Sequence, residues 1–157
     1  MPLVNVSLSL DDVMLDMLIT EMTKVAGKAG ANWGKSPEQS VMDKISKTPR
    51  DYWYQLTVKL QVFVDYLVDC KNTDETEIIS VLNLDFHAQD FLVKELAAMS
   101  QRVGKEAWAQ FDEEIRNKYL ERTSFVIYEL RRQIAGVEQL RLFNADNINI
   151  RTFSGVD

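Results

Sequence analysis

The chain reads as a mainly α domain, a bundle-like arrangement of four to five helices with short β-strands at the N- and C-termini. Three observations predict this. Apolar residues recur at spacings of three and four through most of the chain. Chain-breaking residues are scarce, with 6 Gly and 3 Pro in 157 residues. The two ends, by contrast, alternate apolar with polar residues. One domain commonly spans roughly 100–200 residues, and no repeat, low-complexity tract or linker divides the sequence, so 1–157 is read as a single domain.

Leu3-Val4-Asn5-Val6-Ser7-Leu8-Ser9-Leu10 alternates and predicts a strand. Ser9 is then expected to cap a first helix, with Asp11 and Asp12 placed where the helix dipole favours negative charge. Met14, Leu15, Leu18, Ile19, Met22, Val25, Ala26 and Ala29 share one arc of that helix, and Asp12, Asp16, Thr20 and Thr23 the other. Gly30 is its expected stop, followed by a loop to Lys35 that contains Trp33. Ser36-Pro37-Glu38-Gln39 predicts a short helix to Ile45, and Thr48-Pro49 the start of a longer one.

Tyr52 to Lys71 supports two periods. Every even position from Tyr54 to Val68 is apolar, which suits a strand. Tyr52, Trp53, Leu56, Leu60, Phe63, Val64, Leu67 and Cys70 also share a helical arc. Helix is preferred, because a strand of that length would reach roughly 50 Å, well beyond ordinary strands. The competing architecture is α+β, with 54–68 and 78–86 as a hairpin. Asn72-Thr73-Asp74-Glu75 then resembles a helix start, and Ile78 to Met99 is read as a helix. Its narrow polar stripe is Ser80, Asn83, His87, Asp90 and Lys94.

Gly104 is expected to begin a last helix reaching about Leu142, with Trp108, Phe111, Ile115, Tyr119, Val126, Leu130, Ile134 and Val137 as its apolar line. A straight helix over 105–142 would be about 57 Å long, against a diameter near ~40 Å for a compact domain of this size. It is therefore expected to break near Thr123-Ser124 or Gly136, or to project and need a partner. Asn147 to Phe153 alternates again and predicts a strand, a candidate to pair with the first or to extend a neighbour's sheet.

The residues exclude several chemistries. His87 is the single histidine, and Ser80 lies about two helical turns from it, too far for direct proton transfer. No Glu-x-x-His occurs, which removes the di-iron bundle pattern. Neither glycine-rich phosphate motif is present. Cys70 is the only cysteine, so no intrachain disulfide forms. No cofactor is expected. The N-terminus lacks a signal-peptide pattern and no apolar run reaches ~18 residues, so a soluble, cytoplasmic protein with no membrane partner is expected.

Net charge is −6, from 18 Lys plus Arg against 24 Asp plus Glu. The charges are uneven: residues 73–103 hold six acids and two bases, and residues 116–141 six bases and three acids. The leading functional reading is a non-enzymatic protein acting by association, either a self-assembling homo-oligomer or a partner-binding subunit of a larger complex. Its expected interface is Val58, Val62, Tyr66, Tyr119, Val126, Leu130, Ile148 and Ile150. A second reading is a nucleic-acid accessory protein using Arg122, Arg131 and Arg132, with Tyr119, Phe125 and Tyr128 available for stacking on bases. A third is a metal-dependent helical hydrolase using Asp65, Asp69 and nearby carboxylates. No motif set in the chain names a family.

Overall fold

A computed structural model describes residues 3–35 and 49–147, with side chains over 3–32 and 52–135. The elements are β1 (Leu3–Ser9), α1 (Asp12–Lys35), α2 (Pro49–Asn72), β2 (Glu77–Asn83), α3 (Phe86–Gln110) and α4 (Glu113–Asn147). The chain is mainly helical, and β1 and β2 form a two-stranded antiparallel sheet. It divides into two compact units, residues 9–80 and residues 1–8 with 81–157. The predicted helix at 36–45 and the predicted strand beyond Asn147 lie outside the described residues.

Three helices begin on an aspartate. Asp11, Asp85 and Asp112 each accept a hydrogen bond from the backbone N–H three residues on, at Met14, Ala88 and Ile115 (2.9, 2.8 and 3.1 Å). Each satisfies a donor that the first helical turn leaves orphaned. Ser9, expected to cap the first helix, ends β1 instead, and its hydroxyl donates to the Glu77 carboxylate at 2.8 Å. α2 begins at Pro49, as the Thr48-Pro49 pair predicts.

In the unit of residues 9–80, α1 and α2 pack antiparallel. Lys71 forms an ion pair with Asp16, and a side chain at Gly30 would meet Thr57 at 3.7 Å. Fourteen residues forward on α1 thus match fourteen back on α2. The shared core contains Met14, Leu15, Leu18, Met22, Val25, Ala26 and Ala29 from α1, with Leu56, Leu60, Phe63, Val64, Leu67 and Cys70 from α2. The helical reading of 52–71 holds, and the 54–68/78–86 hairpin does not form. Gly30 does not stop α1: the helix continues to Lys35, through the segment expected as a loop. A glycine ends a helix by adopting left-handed backbone, and here it stays helical opposite Thr57 instead.

The segment Asn72–Glu75, expected to start a helix, ends one. Asp74 takes a left-handed φ of 58°. The Glu75 N–H reaches the Cys70 carbonyl at 2.8 Å and the Asp74 N–H reaches that of Lys71 at 3.3 Å. This paired pattern closes the carbonyl end of a helix, and aspartate is among the few side chains that tolerate it. The chain then enters β2, so Ile78 to Met99 is not one helix: Ser80 and Asn83 lie on a strand, and His87, Asp90 and Lys94 on α3.

In the other unit α3 packs against α4. Gly104 lies inside α3 rather than at a helix start. The break comes at Phe111, in extended backbone, and Asp112, not at Thr123–Ser124 or Gly136. Beyond it α4 runs 35 residues, about 52 Å at the helical rise.

β1 buries Val4, Val6, Leu8 and Leu10, as its alternation requires. Its sheet partner is β2 from mid-chain. Each strand also presents an outer edge, and a helix side chain closes part of each. The Gln133 carboxamide accepts from the Ser7 N–H at 2.7 Å and donates to the Ser7 carbonyl at 2.9 Å. The Tyr66 hydroxyl accepts from the Ile79 N–H at 2.9 Å.

Two substitutions test the corrected helix ends. Gly104→Ala adds a methyl with nothing within 4 Å and should stabilise the chain by about 0.5–1 kcal/mol. Asp74→Gly should add a comparable amount, about 0.5–1 kcal/mol, by relieving left-handed backbone. Urea denaturation reads both; destabilisation by Asp74→Gly would contradict the helix stop.

Candidate interaction surface

On α2 the same 24 residues carry two apolar faces. The inner arc is the core with α1. On the outer side Tyr54, Val58 and Val62 recur at four-residue spacing, 49%, 42% and 61% exposed. Tyr66 continues this stripe but is half-buried, its hydroxyl engaged by Ile79. Further along the face Asp65 accepts from the Gln61 carboxamide at 3.0 Å.

On α4 the expected interface residues part company. Val126 and Leu130 are interior positions. Tyr119 is half-buried, with its ring edge-on to Phe111 at 5.1 Å. Ile148 and Ile150 lie outside the described residues. One turn before Tyr119, the Arg116 guanidinium lies 3.6 Å over the ring of exposed Trp108. The Arg116 contact bridges α3 and α4, and the Phe111 contact ties α4 to the two-residue connection between them.

The solvent face of α4 instead presents Phe125 (66% exposed) and Tyr128 (52% exposed). Sequence reasoning offered both for base stacking but did not place them on an interface. The signal was available: at 100° per residue Phe125 and Tyr128 fall opposite the arc of Thr123, Val126, Leu130 and Ile134, and all four of those are buried.

The proposed nucleic-acid arginines do not converge. Arg122 and Arg131 are nine residues apart, half a turn out of phase and so on opposite sides of the helix. Burial pushes the half-buried Arg131 guanidinium below its ordinary value. Arg132 pairs with Glu129 at 2.8 Å, and the hydrogen bond and charge of that carboxylate raise its pKa. Glu114, Glu121 and Glu129 interleave with Lys118, Arg122 and Arg132 along α4, so among the described residues the bases form no continuous stripe.

The other candidate chemistry is likewise dispersed. Asn83 leaves the helix that His87 occupies, and Asp90 pairs with Lys94 at 3.0 Å. Among the described residues, no three His, Cys, Asp or Glu side chains form a group able to hold a metal ion. No helix among them is long and apolar enough to cross a membrane. Compared with protein-family models, with curated proteins and with solved structures, the chain gives no match in any of the three.

Tyr66 is the titratable group most informative about this surface. Burial raises its phenol above the ordinary value, the Ile79 N–H opposes that rise, and Cys70 adds to it. A phenol raised in the folded state contributes stability in full below its unfolded pKa, about 10, and loses it as pH rises through the folded value. Absorbance titration at alkaline pH should therefore show a late-ionising component that Tyr66→Phe lacks. Loss of the Ile79 hydrogen bond in that variant should cost about 1 kcal/mol.

Proposed function

We propose that the chain acts by protein–protein association rather than catalysis, as a self-assembling subunit or as a partner-binding component of a larger complex. The observation that carries this reading is the pair of apolar helix faces left in solvent, Tyr54, Val58 and Val62 on α2 and Phe125 and Tyr128 on α4. Single exposed apolar side chains are ordinary on soluble proteins, whereas clustered ones mark contact surfaces. The hairpin cores do not need these residues, because each helix already buries a separate arc. The free, buried Cys70 suits a reducing compartment, and the cytoplasm is the location we propose.

The test is Val58→Lys with Val62→Lys in one chain. Both sites are exposed, so stability should move by less than about 0.5 kcal/mol per site. Solution mass over a concentration series, and recovery of a stoichiometric partner from the native host, should both be compared with wild type. Weakened assembly or partner loss is expected. A wild-type chain that is monomeric throughout and recovers no stoichiometric partner would overturn the reading.

A further inference from the structure

We propose that a second copy of this chain docks antiparallel along the solvent face of α4, about a two-fold axis between Phe125 and Tyr128. This deepens the association reading and rests on it. The seam is Glu121, Phe125, Tyr128 and Arg132, spaced four, three and four residues apart. That spacing keeps one stripe facing a partner helix along several turns. Its middle is aromatic and exposed, and its two ends carry opposite charges: Glu121 is exposed, and the Arg132 side chain is 42% exposed.

The order acid, aromatic, aromatic, base is self-complementary only when reversed. In an antiparallel copy, layers pair positions whose numbers sum to 253. Phe125 meets Tyr128 of the second copy, Tyr128 meets Phe125, and each Glu121 meets an Arg132. On one flank, Arg122 and Glu129 fall opposite each other in the same arrangement. A parallel copy would place Glu121 on Glu121 and Arg132 on Arg132. Shifting the antiparallel register by one heptad sets Glu121 against Phe125. A two-fold axis requires such a surface to match itself, which this seam does in one register. Arg132 already pairs with Glu129 within its own chain. An exposed pair of that kind holds its partner weakly, so exchange with Glu121 of the second copy is accessible.

The experiment is charge reversal in the full chain, read as a dimerisation constant by light scattering and sedimentation. Glu121→Arg and Arg132→Glu each place like charges at both ends of the seam and should weaken dimerisation by about tenfold or more. The double variant restores opposite charges and should return close to wild type. Circular dichroism confirms that all three variants remain folded. Single variants that dimerise like wild type, or a double variant that stays as weak as the singles, overturn the seam while leaving association elsewhere on the chain intact. A wild type that is monomeric up to roughly millimolar concentration overturns self-docking and leaves a foreign partner to satisfy the association reading.

Discussion

A two-stranded β-ribbon has an open row of backbone donors and acceptors along each side and seldom persists alone in water. In this chain the ribbon depends on helices for what further strands would supply. Val4, Val6 and Leu8 bury one face of β1. At Ser7 the Gln133 carboxamide supplies the acceptor and donor that a neighbouring strand would offer. In β2 the Tyr66 hydroxyl takes the Ile79 N–H. A strand added at either point would first have to displace those hydrogen bonds.

The helices divide their surface in a consistent way. α1 with α2, and α3 with α4, each bury a face against the other. On α2 and α4 a second apolar group is left outside that contact. In α2 it is one tyrosine and two valines, followed by carboxylates. In α4 it is aromatic and bracketed by opposite charges. The second pattern identifies its own complement, whereas the first fits many partners, which is why the self-docking proposal rests on α4.

How much of this was legible can be followed at particular residues. The N-terminal strand, the buried arc of α1 and the start of α2 at Pro49 all follow from period and cap chemistry. The 52–71 segment satisfied both periods, and length decided for helix. The preferred reading missed β2, which only the hairpin alternative held as a strand over 78–86, because Ile79 and Val81 are apolar yet exposed, so the run from Ile78 to Leu82 shows no alternation. Without alternation a short apolar run reads equally as helix. Asn72–Glu75 was read in the wrong direction because aspartate serves both helix ends. Its side chain caps starts, and its backbone tolerates the left-handed turn that stops them.

Local chemistry determined the N-terminal strand, the buried arc of α1, the start of α2 at Pro49 and the absence of the catalytic motifs sought in the residues. Those properties depend on neighbours a few residues away, which the sequence states directly. Only the tertiary structure decided that β1 pairs with β2, that Gln133 reaches Ser7 from 126 residues away, and that Val126 and Leu130 face inward while Phe125 and Tyr128 face out. A helical wheel shows which residues share a face. Which face is covered depends on where the next helix lies, and that is settled by packing between distant segments rather than by periodicity within one.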